Sequence, residues 1–138
     1  MRPINLVALI DDDEIEKFIA SKVIESTHLV NRIKTFSNGE EAINFLKANS
    51  KTPDLLPEII LLDLQMPIMD GFEFLKKYIM LEPKLGKKIT IYVVSSSISK
   101  SDIERINQIS EVSDYIIKPV IKEKFEKIVH ALMEEKSL

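Results

Sequence analysis

The chain contains no cysteine, which excludes disulfides, zinc–thiolate sites and thiol nucleophiles. It has two histidines, His28 and His130, and neither stands in a metal-ligand spacing, so a histidine-based metal or catalytic centre is not expected. No apolar run approaches the ~20 residues that span a bilayer. The opening Met1-Arg2-Pro3-Ile4-Asn5 lacks the apolar core of a secretory signal, which makes the cytoplasm the default location. Charge of one sign is not massed either. Lysine and arginine total 19 against 22 acidic residues, a net charge of -3, and they are spread along the chain. That balance leaves no footprint for nucleic acid and argues against a membrane-surface role.

What is present is 138 residues, 45% hydrophobic and 30% charged, enough for one soluble domain with a real core. Residues 1–138 are expected to form a single domain: no linker, repeat or low-complexity tract interrupts them. Leu6 to Ile10 is an apolar run cut off by Asp11-Asp12-Asp13, and it reads as a buried strand. Ile15, Phe18, Ile19 and Val23 follow at helical spacing and predict a helix with that stripe on one face. A second, shorter strand spans 33–36. Asn38-Gly39-Glu40-Glu41 opens a helix with Ala42, Phe45 and Leu46 on one face. A proline-containing loop spans 49–57. Ile59-Ile60-Leu61-Leu62 is continuously apolar, as suits a strand covered on both faces, and ends at Asp63. Asp70 is placed to cap a helix carrying Phe72, Leu75 and Ile79, closed by Pro83 and Gly86. A fourth strand, 89–94, stops at Ser95-Ser96-Ser97. Ser99 and Asp102 mark a helix start, with Ile103 and Ile106 on its apolar side. Tyr115-Ile116-Ile117 is a fifth strand, ended by Lys118-Pro119, and Phe125, Ile128, Val129 and Leu132 define a last helix.

Strands alternating with helices imply an α/β fold: a doubly wound five-stranded parallel sheet with helices on both faces. Functional groups then gather at the carboxyl ends of the strands, near the switch in strand order. The residues at those ends are Asp11-Asp12-Asp13, Asp63, Ser95 and Lys118. Taken singly they are ordinary: aspartates cap helices, serines mark loops, and Lys-Pro marks a turn. Taken together they are complementary. Crowded carboxylates repel, and a divalent cation removes the conflict. Hard oxygen ligands without histidine or cysteine select Mg²⁺. A carboxylate can attack a phosphoryl donor to give an acyl phosphate, whose oxygens a metal, an ammonium and a hydroxyl can each neutralise.

The stretch Leu61-Leu62-Asp63-Leu64-Gln65-Met66-Pro67-Ile68-Met69-Asp70-Gly71 resembles the phosphoacceptor signature of receiver domains, the phospho-accepting modules of two-component response regulators. Asp11 and Asp12 are similar to that family's acidic pair, Ser95 to its Ser/Thr, and Tyr115 to its switch aromatic. Lys118-Pro119 is similar to its Lys-Pro, typically joined by a cis bond. The resemblance covers nearly the whole chain. It implies the flavodoxin-like strand order 2-1-3-4-5. It also implies roles. Asp63 is the phosphoacceptor. Asp12, Asp63 and the backbone carbonyl of Gln65 are metal ligands, and Asp11 holds metal-bound water. Ser95 and Lys118 bind phosphoryl oxygens. Ser96 is small and keeps the site accessible. Asp13 and Glu14 are better placed for helix capping than for ligation.

The implied partners are a sensor histidine kinase or a histidine phosphotransfer protein as donor and a downstream protein as target, with no nucleic acid or membrane, the chain acting as a monomer or weak dimer. It is expected to be a signalling switch with no attached output domain, catalysing only its own modification. Three departures stand out. Ser95 takes the place of the commoner threonine. The glycine usual before the fifth strand is absent from Glu111-Val112-Ser113-Asp114, a segment also about one residue longer than usual. Gln65 and Ser97 occupy positions that tune dephosphorylation in relatives. The rival readings are a phosphatase resembling the haloacid dehalogenase group, which would use Asp11 and Asp13; a flavodoxin-like cofactor binder, which the acidic first loop disfavours; and a receiver that binds partners without phosphorylation.

Overall fold

The computed structural model describes residues 2–96 and 98–137; Ser97, expected to tune dephosphorylation, lies outside the described residues. The elements run β1 (Ile4–Ile10), α1 (Glu14–Ser26), β2 (Val30–Phe36), α2 (Gly39–Ala48), β3 (Ile59–Asp63), α3 (Gly71–Leu81), β4 (Thr90–Ser95), α4 (Lys100–Asn107), β5 (Val112–Ile117) and α5 (Lys122–Ser137). All strand pairs are parallel and the order is β2-β1-β3-β4-β5. The expected fold class and strand order are those observed, with β2 and β5 each starting three residues earlier than the sequence suggests.

The sheet divides the core in two. Alternate residues of β1, β3 and β4 (Ala8, Ile10, Ile60, Leu62, Ile91, Val93) pack with α2, α3 and Ile106 of α4. Their neighbours (Val7, Leu9, Ile59, Leu61, Val94) pack with Ile24 of α1 and Phe125, Ile128, Val129 and Leu132 of α5. Burial on both faces is why these strands read as unbroken apolar runs. Each fully buried Ile, Leu or Phe contributes about 1.5–3 kcal/mol relative to exposure.

Helix starts follow their capping chemistry. Asp13 accepts from the backbone N–H of Ile15 and Glu16, Asn38 from Glu41, and Ser99 from Asp102. Asp70 and Glu73 form a reciprocal capping box at α3.

Two helices turn part of their apolar stripe to solvent. The stripe Ile15, Phe18 and Ile19 of α1 is not inward: these side chains are 71%, 62% and 48% exposed. The inner face is rotated onto Lys17 and Ile24, with Ala20 half-buried between them. This rotation is possible because Lys17 is neutralised where it is buried, donating to Glu14 at 2.8 Å and to the Ser37 hydroxyl at 3.0 Å. In α3, Leu75 is buried as expected and Phe72 packs against the core, but Ile79 is exposed, and Phe74, Tyr78 and Leu81 complete the inner face.

The extra residue before β5 is absorbed locally. Ile91 pairs with Val112 and Tyr92 with Asp114, so Ser113 forms a bulge on this edge strand. Beyond the bulge the pairing is regular through Ser95–Ile117, which leaves Tyr115 on the α4 side of the sheet, packed against the core there.

Candidate functional site

Strand order reverses between β1 and β3, and the carboxyl ends of these two strands carry the acidic residues. Asp11, Asp12 and Asp63 each place a carboxylate oxygen within 4.8 Å of the other two. Asp11 and Asp63 are buried and Asp12 is exposed. Asp11 is held by its own backbone, accepting from the N–H of Asp13 at 2.9 Å. From the far end of the sheet Lys118 reaches in, its Nζ donating to Asp11 Oδ2 at 2.8 Å and lying 3.8 Å from Asp63 Oδ1. The Lys118–Pro119 bond is cis. The Lys118 backbone N–H donates to the Ser95 carbonyl at 2.8 Å, which ties the ends of β4 and β5 together beside the site.

The electrostatics are those of an underneutralised cluster. Burial is the main reason the Asp63 carboxyl is pushed up to about 6; the Lys118 charge pulls it down, and Asp11 and Asp12 push it up further. For Lys118, burial works against the ammonium. The hydrogen bond to Asp11 and the negative charges of Asp63 and Asp11 outweigh it and hold the pKa above the ordinary lysine range. Two buried carboxylates therefore share one ammonium, with a third carboxylate beside them. The donor set is oxygen only, two of its members are buried, and the group is compact enough to close on one hard cation, so it fits Mg²⁺.

Asp63 is followed by a tightly fixed loop. The Gln65 backbone N–H points back to Asp63 Oδ1 at 3.5 Å, and the Gln65 side chain is exposed. The Met69 N–H donates to the Pro67 carbonyl at 2.7 Å across Ile68, whose φ is 68°. Met66 and Met69 are buried on either side. Gly71 then starts α3 against the end of β3, where a Cβ would lie 2.8 Å from both the Asp63 carbonyl oxygen and Leu64 Cα. Only glycine permits this approach, which explains its place in the motif.

Each expected site residue can be located. Asp11, Asp63 and Lys118 line one hollow, and the Asp12 carboxylate lies within 4.8 Å of those of Asp11 and Asp63 at its rim. Ser95 is buried at the end of β4, next to Val94, which pairs with Asp63. Ser96 is exposed, and Tyr115 is half-buried at one remove, on β5. The Asp13 side chain caps α1. Sequence reasoning missed Lys17, which lines the same hollow as Asp11, Asp63, Lys118 and Ile19. Its only signal was a glutamate three positions earlier.

A parallel doubly wound sheet with an acidic, cation-ready pocket at its switch point defines a class of phosphoryl-handling switch proteins. The response regulator receiver domain model matches residues 7–130, and the chain belongs to that family. It is 27% identical over 129 residues to the probable methanogenesis regulatory protein FilR2 of Methanothrix harundinacea, covering 94% of this chain and 81% of that one. A protein-glutamate methylesterase/protein-glutamine glutaminase 3 of Geobacter sulfurreducens is 33% identical over 119 residues, but the match spans 86% of this chain and only 29% of the relative. The sensor histidine kinase CheAY of Helicobacter pylori is 31% identical over 13% of its length, which is 83% of this chain. Among solved structures, a two-component response regulator from Cytophaga hutchinsonii superposes with a TM-score of 0.87 at 28% identity, covering 96% of this chain and 99% of that one. A receiver protein from Dyadobacter fermentans gives 0.80 at 26% identity, covering 92% and 96%. The protein is thus a receiver domain of the two-component class, and among the described residues no helix is long and apolar enough to cross a membrane.

Proposed function

We propose that Asp63 is the phosphoacceptor of this receiver, and that residues 1–138 act as one unit whose output is delivered through its surface to a downstream protein. The observation that carries this reading is the meeting of Asp63 with Asp11, Asp12 and Lys118 at one rim of the sheet. An Asp63 oxygen attacks the phosphorus of a phosphohistidine; the new P–O bond forms as the P–N bond breaks, and its electron pair returns to the imidazole nitrogen. Asp11, Asp12 and Asp63, with the Gln65 carbonyl, would hold Mg²⁺, which supplies positive charge to the phosphoryl oxygens. Lys118, already 3.8 Å from Asp63, is positioned to move from Asp11 to a phosphoryl oxygen. Ser95, at the end of the strand next to β3, supplies a hydroxyl to another. Drawing Ser95 inward biases the packing of Tyr115 and α4, a population shift driven by the new contacts. The protein is then a switch that catalyses only its own modification, in the cytoplasm, where phosphoryl donors are made.

The donor is a sensor histidine kinase or histidine phosphotransfer protein. The unexpected exposure of Ile15, Phe18 and Ile19 supports a protein donor: they form an apolar flank on α1, and Ile19 borders the hollow that holds Asp63. Phe18→Ala is expected to slow transfer from a protein donor while leaving acetyl phosphate reactivity unchanged. The reading as a whole is tested by intact mass after incubation with Mg²⁺ and acetyl phosphate. One phosphoryl adduct is expected on the parent and none on Asp63→Asn. An adduct that persists in that variant removes Asp63 from the role, and one lost only in Asp11→Asn restores the phosphatase-like alternative.

A further inference from the structure

The charge balance is near even over the chain as a whole but not in every segment. Residues 76–88 hold five lysines (Lys76, Lys77, Lys84, Lys87 and Lys88) and a single acid, Glu82. Two of the five are engaged: Lys87 donates to the Leu56 carbonyl at 3.1 Å, and Lys88 pairs with Glu135 at 3.1 Å. Lys77 and Lys84, joined by Lys47 from α2, line a groove of about 250 Å³ with Met80 and Leu81. None of these three makes an ion pair among the described residues. A helix carboxyl end favours a nearby cation. That accounts for Lys47, in the last turn of α2, but α3 has no basic residue in its last turn. The centre of the groove is apolar, with Met80 77% exposed beside the buried Leu81. It lies where α2 and α3 end, toward the amino edge of the sheet, whereas Asp63 sits at the carboxyl edge.

We propose that this groove is a docking site for an acidic, amphipathic segment of a partner protein, separate from the Asp63 rim. Three ammonium groups without ion-pair partners around an exposed thioether are complementary to carboxylates flanking an apolar side chain. Solvated lysine–carboxylate pairs are individually weak, so the charges steer and orient while Met80 supplies the buried contact. Nucleic acid fits less well, since the groove has no arginine for bidentate phosphate contacts and no aromatic for base stacking. A concave groove with one exposed apolar side chain also suits a peptide better than the flat surface of a bilayer. Docking here would tether the switch and leave its carboxyl edge open.

The test is a titration of the unphosphorylated 138-residue chain, followed by ¹⁵N amide shifts, with a twelve-residue peptide carrying glutamate and leucine at helical spacing. Shifts are expected at residues 47, 77, 80, 81 and 84 and not at 11, 12, 63 and 118, with binding that weakens as salt is raised. The Lys47→Glu/Lys77→Glu double variant should weaken binding by about tenfold, corresponding to roughly 1.4 kcal/mol. Met80→Ser, which leaves the charges in place, should weaken it by about threefold (on the order of 0.6 kcal/mol). All three positions are exposed, so the variants should fold, which circular dichroism checks. The proposal is overturned by an absence of shifts, by shifts at the Asp63 rim instead, by an unchanged affinity in the double variant, or by equal binding of a peptide with lysine in place of glutamate. Tighter binding to phosphatidylserine vesicles through the same lysines would assign the groove to a membrane. Salt-sensitive self-association in sedimentation, lost in the double variant and in Phe18→Glu, would assign it to a second copy. Either outcome also overturns the proposal.

Discussion

Glu58, just before the five-residue strand β3, and Asp63, its last residue, stand at opposite ends, and their surroundings push them in opposite directions. At the amino end, each oxygen of Glu58 has its own donor: the Asn5 backbone N–H at 2.8 Å and Lys136 Nζ at 2.7 Å. Burial alone would raise its pKa, but these bonds outweigh burial and hold it below the ordinary glutamate value. At the carboxyl end, the short bond from Lys118 goes to Asp11, and Asp63 is left 3.8 Å from the ammonium with two other carboxylates for neighbours. Burial then prevails, and its carboxyl rises to about 6. A structural carboxylate is given its own partners. The candidate acceptor is kept short of them, and so can be neutralised by an incoming cation or phosphoryl group.

The strongest way to break the contrast is to remove the shared ammonium. Lys118→Met leaves Asp11 and Asp63 buried without a cation, and should lower unfolding stability by about 3 kcal/mol in metal-free buffer. Mg²⁺ should return part of that loss by binding the folded state, and denaturant melts with and without the ion measure both. The next effect has the opposite sign. Asp63→Asn removes the underpaired charge and should stabilise the metal-free protein by about 2 kcal/mol. It should also shrink the stabilisation the parent gains from Mg²⁺. A destabilised Asp63→Asn would show that Asp63 is a satisfied structural carboxylate like Glu58.

Glu58→Gln is the matching test at the other end, with a smaller cost of about 1 kcal/mol because Lys136 is half-exposed. Its pH dependence has a definite sign. Glu58 titrates lower in the folded than in the unfolded chain, so its contribution is complete above the ordinary value of 4.5 and is lost as pH falls through the lower folded-state value. Parent and variant stabilities should therefore converge on acidification below 4.5, and a constant difference across that window would mean Glu58 is not held by its partners.

The two ends of β3 were also unequally legible in the sequence. At the carboxyl edge a parallel sheet converts strand-end residues into neighbours, so Asp11, Asp12, Asp63, Ser95 and Lys118 could be placed together once the strands were recognised. The amino edge offers no such rule: the Glu58–Lys136 pair joins residues 78 apart in the chain, and nothing local announces it. The outward rotation of α1 was hidden for a different reason. Periodicity reports that a helix has an apolar stripe but not what the stripe faces, and here a buried Lys17, satisfied by Glu14 and Ser37, occupies the inner face. The extra residue ahead of β5 was countable in the sequence, but its conversion into a bulge at Ser113 depends on the β4 register.

The smallest expected effect lies in the loop leaving Asp63, and it separates backbone strain from charge as the distinctive property of that end of β3. Ile68 is the central residue of a three-residue turn closed by the Met69 N–H and the Pro67 carbonyl, at a φ of 68° that a β-branched side chain rarely adopts. It is 73% exposed, so its side chain gives little burial in return. Strain of this kind costs on the order of 1–3 kcal/mol, and glycine relieves it at an entropic cost of roughly 0.5–1 kcal/mol. Ile68→Gly should therefore stabilise the protein by about 1 kcal/mol. The buried Met66 and Met69, with Gly71 seated against the Asp63 carbonyl, fix the loop on both sides of the turn, so Mg²⁺ affinity and acetyl phosphate reactivity should be unchanged. If reactivity falls as stability rises, the turn at Ile68 contributes to aiming Asp63, and the contrast between the two ends of the strand is one of backbone geometry as well as of partners.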